Sequence, residues 1–326
     1  MLIQGTVCPT LWGNTGGAVN GCAFSLEQIE SFIFLHKNKG YDMSAFANAA
    51  ALYTQLRDDC LADIPANRIF PFHRVADVTS NTGDVQTLES AHGYLEDTGL
   101  SQIRWTVNMN DYSLKNMANI HKFAKNPNLA VVPVFKGGVA NSVPMFRKGY
   151  DGKDYGFEVM AYTSQPQPAS GSTRQFQQFM LSFKDKDAFL SDMVEFVPLA
   201  AGHKLSQIIE GIHDVKLTLV SASTTAIVLT VTDAASGEVL GDLYEDELTQ
   251  ASAWLIPLVS TGVPVVPSSV TYNSTSKEFT LSGTYTTAAH KVSLKGPTAL
   301  AALTPLPFGN GTTGGFESNI IDVTPS

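Results

Sequence analysis

The stretch VKLTLVSASTTAIVLTVTD, residues 215–233, decides the fold class of the C-terminal third of the chain. Its two halves, VKLTLVSA and TAIVLTVTD, are rich in Val, Thr and Ile and alternate apolar with polar side chains. This pattern is typical of strands that bury one face. The segment therefore predicts two short β-strands joined by a turn.

Four further segments repeat this pattern toward the C-terminus: GEVL, SSVTYNST, KEFTLSGTY and HKVSLKG. Short strands separated by turns every 8–12 residues are the signature of a small β-sandwich of immunoglobulin type, which we expect over Asp214–Ala301. The clearest hairpin is VTYNSTSKEFTLSGTY, with its turn at Asn273–Ser276. The segment contains no cysteine, so the sandwich would lack the disulfide of antibody domains.

The composition changes near residue 214. The chain has 326 residues, of which 44% are hydrophobic and 16% charged, and its formal net charge is −9. Residues 214–326 carry 4 Lys and Arg against 10 Asp and Glu, whereas residues 1–213 carry 17 against 20. The low charged fraction argues against a disordered chain or a coiled coil. The acidic balance argues against wrapping a phosphate backbone, which needs clustered Lys and Arg.

These features predict four regions. Residues 1–25 form an extended Gly- and Thr-rich arm, residues 26–213 an assembly domain, residues 214–303 the immunoglobulin-like sandwich and residues 304–326 an extended tail. The boundary between the two domains is expected between Ala201 and Asp214.

Helices are few in residues 26–213. We predict one over Asp42–Asp63, capped by Asp42 or Ser44, and a second over Tyr112–Lys125 that ends before Pro127. The apolar stripe of the first helix comprises Phe46, Ala50, Tyr53 and Leu56.

Strand patterns fill the rest of this region. The predicted strands are RIFPFHRV (Arg68–Val75), QIRWTVNMN (Gln102–Asn110), LAVVPVF (Leu129–Phe135), YGFEVMAYT (Tyr155–Thr163) and RQFQQFMLSF (Arg174–Phe183). Between the last two, Ser164–Thr173 is rich in Ser, Pro, Gln and Gly and predicts a long hairpin loop. Lys184–Phe196 fits a short helix or a loop leading to a strand, and we favour the helix. The predicted fold class is mainly β with a few helices (α+β).

The sequence offers no catalytic, cofactor-binding or metal-binding pattern. The Gly-rich WGNTGG (Trp12–Gly17) lacks the ending of a phosphate loop, and no Ser elbow or metal-spaced His pair occurs. The acidic DLYEDE (Asp242–Glu247) fits either a cation site or a solvated loop, of which we favour the loop. Accordingly we predict no enzyme activity and no cofactor.

The N-terminus lacks a signal-peptide pattern, and no apolar run is long enough to span a bilayer. Three cysteines are too few for a disulfide framework. Cys8 and Cys22 can pair with each other, but reduced thiols of a protein made in the cytoplasm fit better, and Cys60 is included in that expectation.

The order of these parts resembles the major tail tube proteins of tailed bacteriophages. The resemblance lies in the architecture and in RIFPFHRVADVTSNTGDVQTLESAHGYLEDTG (Arg68–Gly99). There a strand, the segment Asn81–Glu89, Gly93-Tyr94 and a new strand with Trp105 follow one another as in such proteins. FKGGVANSVPMF (Phe135–Phe146) resembles the stretch that leads into the second half of the tube domain.

The resemblance implies a tail-tube-like β-barrel or sandwich domain in a virion structural protein made in the host cytoplasm. Such subunits form homo-oligomeric rings, usually hexameric, which stack into a conduit for DNA ejection and contact other tail proteins. An acidic lumen lets a polyanion pass without specific binding. The candidate lumen-facing residues are Asp77, Asp84, Glu89, Glu96 and Asp97.

Two features differ from the minimal tube subunit: the early, long helix at Asp42–Asp63 and the Gly-rich start. They leave open another virion protein (neck, tail terminator or capsid decoration) or a surface adhesin with an immunoglobulin-like module.

Overall fold

The computed structural model describes residues 28–73, 75–80, 87–89, 95–97, 103–109, 120–124, 126–137, 141–163, 177–185, 194–205, 211–303 and 315–326. They form a mainly β protein with several sheets and short helices, which confirms the predicted class at that level. The chain divides into two compact units. The first unit contains Met1–Asp59 and Ile64–Ile208, and the second contains Cys60–Asp63 and Ile209–Ser326. The predicted N-terminal arm, residues 1–25, lies outside the described residues.

Thirteen strands are described in the first unit. They are β1 (Ile29–His36), β2 (Gly40–Tyr41), β3 (Phe70–Phe72), β4 (Val75–Ser80), β5 (Thr87–Glu89), β6 (Leu95–Asp97), β7 (Arg104–Met109), β8 (Leu129–Lys136), β9 (Ser142–Lys148), β10 (Asp154–Tyr155), β11 (Phe157–Thr163), β12 (Gln177–Phe183) and β13 (Val194–Phe196). Each of the five segments predicted as strands in this region contains at least one of them, so these predictions are confirmed.

Eleven of these strands form one antiparallel sheet in the order β2-β10-β9-β8-β11-β12-β7-β4, with β1 beside β8 and β3, and β13 beside β9. β5 and β6 pair separately as a two-stranded hairpin. The core of the unit is aromatic. Phe34 stacks on Phe123 with ring centroids 5.4 Å apart and meets Phe72 edge-on at 4.9 Å.

Helix α1 covers Ala49–Cys60, so the predicted start at Asp42 is wrong. Asp42 instead caps a separate 3₁₀ turn, Met43–Ala45, by accepting a hydrogen bond from the Ser44 N–H. Phe46 is extended and interrupts the helical path. Asn48 begins α1, because its Oδ1 accepts a hydrogen bond from the Ala51 N–H at 2.9 Å. Of the second predicted helix, residues 120–124 are helical; residues 112–119 and 125 lie outside the described residues.

The end of Lys184–Phe196 is strand β13, so the helix favoured there is wrong at its C-terminal residues. The strand forms because Val194–Phe196 pairs with Met145–Arg147 of β9, and this tertiary ladder outweighs local helix preference. Residues 186–193 and the predicted hairpin loop Ser164–Thr173 lie outside the described residues.

The second unit contains nine described strands and two short helices. They are β14 (Ile212–Ala222), β15 (Ala226–Asp233), β16 (Trp254–Pro257), β17 (Pro264–Val265), β18 (Ser269–Asn273), β19 (Glu278–Ser282), β20 (His290–Leu294), β21 (Gly315–Ser318), β22 (Ile321–Val323), α2 (Glu245–Leu248) and α3 (Pro297–Ala301).

Two sheets enclose the core of this unit. One has the order β18-β19-β15-β14-β21 and the other β17-β16-β20-β22. Trp254, Phe279 and Leu229 are almost fully buried in a single apolar cluster to which both sheets contribute. The Trp254 indole N–H donates to the Leu248 carbonyl at 2.9 Å, which satisfies its polar atom inside the core.

The hairpin predicted around Asn273–Ser276 is confirmed. Asn273 pairs with Glu278, and its side-chain Oδ1 accepts from the Thr275 N–H at 2.9 Å. The predicted strand GEVL is wrong: Val239 makes an isolated bridge to Thr232, and Leu240–Asp242 is a 3₁₀ turn.

The C-terminal residues belong to the second unit. β21 pairs in parallel with β14, and β22 pairs antiparallel with β20, so each completes one of the two sheets. Residues 315–323 thus differ from the separate extended tail expected for residues 304–326; residues 304–314 lie outside the described residues.

Candidate assembly surface

The strands β11, β12, β7 and β4 form a four-stranded part of the large sheet with two contrasting faces. One face contributes to the core: Val159, Leu181 and Val107 are fully buried. In each strand the alternate residues point away from the core, because side-chain direction in a strand has a period of two. The surface made by these alternate residues is called the open face below.

The register aligns the open face in three rows across the strands. The rows are Met160–Ser182–Arg104, Tyr162–Met180–Thr106–Thr79 and Gln178–Asn108–Asp77. Apart from the two methionines and Tyr162, these side chains are polar, and one acid and one base are included. The composition is polar, unlike that of a second core. Ser182 and Thr106 are nevertheless buried, so only part of this face is open to solvent.

Side chains on the open face are held by bonds to their neighbours. Gln178 Nε2 donates to Asn108 Oδ1 at 3.1 Å across β12 and β7. Met160 and Tyr162 are 39% and 48% exposed, and the Tyr162 hydroxyl lies 3.7 Å from Met160 Sδ. These two form an apolar patch next to the polar rows, at the β11 border.

Within the described residues, β4 and the second half of β11 have no further paired strand at the two borders of the four-stranded part, although the Ala76 carbonyl of β4 accepts a hydrogen bond from Gln28 Nε2. β4 ends the sheet and pairs with β7 alone. β11 pairs with β8 only at Phe157 and Glu158, so residues 159–163 have a strand partner on one side, β12. An edge of this kind presents backbone donors and acceptors that can pair with another strand.

The predicted lumen residues fall in different places. Asp77 lies on β4, exposed, in the last row of the open face. Glu89 lies on β5, and Glu96 and Asp97 lie on β6, so the hairpin brings these three together in a different sheet. Asp84 lies outside the described residues.

Sequence reasoning did not identify the open face as a unit. The available signal was the alternation of YGFEVMAYT, in which Glu158, Met160 and Tyr162 occupy one parity.

A small cleft of about 210 Å³ lies on the first unit near the β9–β10 turn. It is lined by Lys37, Arg147, Lys148, Gly149, Tyr150, Tyr155, Gly156 and Glu158. Its cations are paired: Lys37 lies 3.9 Å from Glu158, Arg147 lies 3.1 Å from Asp185, and Lys148 lies 3.7 Å from Glu195. The cleft is smaller than the roughly 300–1,000 Å³ of typical ligand pockets.

In the acidic segment Asp242–Glu247, Asp242 is engaged by the protein itself. Its carboxylate accepts hydrogen bonds from Lys277 Nζ at 2.8 and 2.9 Å and from the Tyr272 hydroxyl at 2.7 Å. The Lys277 bonds, followed by that of Tyr272, lower the pKa of Asp242. Burial, together with the Asp242 carboxylate, raises the pKa of Tyr272 to about 12. The arrangement ties the turn before α2 to the β18–β19 hairpin.

Within the described residues, no group of three or more His, Cys, Asp and Glu is arranged to hold a metal ion. In the same part of the chain, every helix is too short or too polar to cross a bilayer. Cys60, at the end of α1, is buried and forms no disulfide; Cys8 and Cys22 lie outside the described residues.

The chain matches no protein-family model and no curated protein sequence.

Proposed function

We propose that this chain is a structural virion protein of the phage tail tube type, which self-assembles into stacked rings that form a conduit for DNA. The observation that carries the proposal is the four-stranded part β11-β12-β7-β4, with its buried face, its polar open face and its two open edges.

The two edges favour assembly through strand pairing. β4 and the second half of β11 lie on opposite borders of the four-stranded part of the sheet, so β4 of one copy can pair with the second half of β11 of the next. Contacts between two different surfaces generate a ring when the rotation closes. Closure removes the exposed edges and leaves the open faces of all copies on one surface of the ring.

The composition of the open face fits the inner surface of a conduit for nucleic acid. Its side chains are mainly neutral and polar, Arg104 is its only base, and Asp77 is exposed in its last row. Binding to a phosphate backbone depends on the number of Lys and Arg contacts, so a surface with few bases lets DNA slide.

The second unit fits an immunoglobulin-like module appended to the subunit. The strands can be lettered A to G along the chain, with β14, β15, β16, β18, β19, β20 and β22 as A, B, C, D, E, F and G. Strands A, B, E and D then form one sheet, and C, F and G the other. Trp254 occupies the start of the C-equivalent strand in the core. The Tyr285 hydroxyl donates to the Leu281 carbonyl at 3.2 Å, similar to the tyrosine corner of that fold.

Negative-stain electron microscopy and light scattering of the purified full chain test the proposal. We expect rings or hollow tubes that increase with protein concentration. A protein that stays monomeric at high concentration contradicts the tube proposal. Knob-like binding to isolated capsids without self-assembly favours the alternative, a capsid-decorating protein.

Two proline variants test the edge of β4. Successive N–H groups of a strand point to opposite sides, so of Val78 and Thr79 one donates toward β7 and the other away from it. Proline removes the N–H. We expect one of Val78→Pro and Thr79→Pro to keep the folded monomer and abolish ring formation. Assembly of both variants at the wild-type level contradicts pairing through β4.

The position of Asp77 is tested by charge reversal. Tubes of Asp77→Lys should bind a fluorescent single-stranded oligonucleotide inside the lumen at low salt, because each subunit then adds a cation to the inner surface. The matched variant Asp322→Lys makes the same charge change at an exposed site on β22. Equal binding by both variants contradicts the lumen position of Asp77.

A further inference from the structure

Two buried carboxyl groups lie on opposite sides of β9 in the first unit. Asp154 of β10 is paired with Lys148, and Glu195 of β13 with Phe146, two residues away on the same strand. These alternate positions point to the same face of the sheet. Asp154 is 1% exposed and Glu195 is 4% exposed.

Neither carboxyl group is fully satisfied. Asp154 Oδ1 and Glu195 Oε2 are buried and have no hydrogen-bond partner. A buried acceptor without a partner is costly, so its presence in a fold calls for an explanation. One proton shared between the two groups supplies the missing donor.

The surrounding charges favour one negative charge rather than two. Lys148 Nζ lies 3.7 Å from Glu195 Oε2 and balances that carboxylate. Asp42 adds a further negative charge that is repulsive toward Asp154. Tyr41 lies opposite Asp154 on β2. Its hydroxyl donates to Asp59, which forms an ion pair with Lys39 at 2.9 Å, so Tyr41 brings no uncompensated charge to Asp154.

The walls of the site are apolar. The rings of Tyr41 and Phe146 lie 5.8 Å apart on the face that carries the two carboxyl groups. Burial, and next the charge and hydrogen bond of Glu195, raise the pKa of Asp154 to about 7. Asp154 is therefore protonated in mildly acidic solution and loses its proton close to neutrality.

We propose that Asp154 and Glu195 form a proton-dependent latch that holds the short strands β10 and β13 on β9. With the proton present, one carboxyl donates to the other. When the proton leaves, two carboxylates remain near Lys148, and repulsion between the carboxylates loosens both strands. β10 has two residues and β13 has three, so each has few ladder bonds with which to resist.

The direction of the pH effect follows from linkage. A carboxyl whose pKa is higher in the folded state binds its proton more tightly there, so its stabilisation is complete below the ordinary value of 3.8 and declines as the pH rises to about 7. Between pH 5 and pH 7 the equilibrium constant for the opening of β10 and β13 should rise by up to about 100-fold, which is at most tenfold per pH unit. It should level off above that range.

Hydrogen–deuterium exchange of the full chain from about pH 5 to about pH 8 measures this opening. Rates are corrected for intrinsic exchange, and β19 of the second unit provides the internal reference. Wild-type peptides covering β10 and β13 should lose protection as the pH rises. Asp154→Asn should abolish the rise, because an amide stays neutral and still donates to Glu195.

Two further variants separate the latch from general destabilisation. Glu195→Gln removes the second charge and should reduce the rise without abolishing it, because burial still raises the pKa of Asp154. Glu158→Gln removes a carboxylate from β11, which β8 separates from β9, and should leave the rise unchanged because the side chain is 41% exposed.

Three results would overturn the latch. One is pH-independent protection of β10 and β13 in the wild type. Another is an unchanged pH dependence in both Asp154→Asn and Glu195→Gln. The third is restoration of wild-type protection at about pH 8 by millimolar calcium, with no effect on Asp154→Asn, because the pair would then be a cation site.

Discussion

The two units of this chain differ in how many faces of their sheets are packed against other parts of the protein. In the second unit, two sheets face each other and share one apolar core around Trp254. In the first unit, the sheet β11-β12-β7-β4 covers a core with one face, and its other face is mainly polar and only partly exposed, since Ser182 and Thr106 are buried there. The second unit is complete as a sandwich, whereas this part of the first unit has a surface and edges that suit a further partner.

The edge strands of the two units also differ in the residues that discourage pairing with another chain. β17, an edge strand of the second unit, contains Pro264, and Pro267 follows it closely. Proline on an edge strand discourages pairing with another chain. β4, which ends the large sheet of the first unit at one side, has the sequence VADVTS and contains neither proline nor lysine. Proline thus protects one edge, whereas β4 has a register shift between Val75 and Asp77 and is otherwise without proline or lysine.

The largest expected effect concerns the closed core of the second unit. Trp254→Ala removes a side chain that is 1% exposed and should lower the free energy of unfolding by about 3 to 5 kcal/mol. Exchange protection of β15 and β19 measures it. Leu255→Ala alters the next residue of β16, which is 37% exposed, and should cost far less. Equal losses for both would show that Trp254 does not anchor a sandwich core.

The contrast between the two faces of β12 comes next. Leu181→Ala, on the fully buried face, should lower the free energy of opening β12 by roughly 2 to 5 kcal/mol. Met180→Ala, on the open face, should stay within about 1 kcal/mol because the side chain is partly exposed. Hydrogen exchange of β12 peptides compares them. If Met180→Ala proves as costly as Leu181→Ala, the open face is a second packed surface.

The smallest effect concerns the Asp242 carboxylate and depends on pH. Its pKa is lowered by Lys277 and Tyr272, so it stabilises the folded state above its ordinary pKa of 3.8 and loses this contribution as the pH falls through the lower folded value. Asp242→Asn should therefore lower the urea midpoint of the second unit at neutral pH, and the difference from wild type should shrink below pH 3.8. Asp246→Asn, in the same acidic segment, is the control. A difference that persists unchanged in acid contradicts a role for the ionised carboxylate.

The sequence was most informative where one face of a strand is buried and the other is wet. YGFEVMAYT and TAIVLTVTD alternate, and both form the predicted strands, β11 and β15. It was least informative for β1, IESFIFLH, which no pattern predicted. Ser31 through Leu35 are all buried, so the strand has no wet face and its residues do not alternate.

The open face, too, could be predicted from the sequence only in part. Asp77 was chosen from the sequence as an acidic residue, and it is exposed on the edge strand of the open face. The rest of that face comes from four strands spread over about a hundred residues, and only their register brings Tyr162, Met180 and Thr106 into one row. Local pattern cannot give register between distant strands.

By itself the sequence determined the mainly β class, the strands β14, β15, β18, β19 and β20 of the second unit and the turn at Asn273–Ser276, because alternation and turn chemistry act over a few neighbouring residues. Tertiary structure alone decided which edges stay open, that β21 and β22 complete the two sheets, and that Asp154 and Glu195 meet across β9. Strand pairing and burial join residues far apart in the chain, and their energies depend on neighbours that the local sequence does not specify.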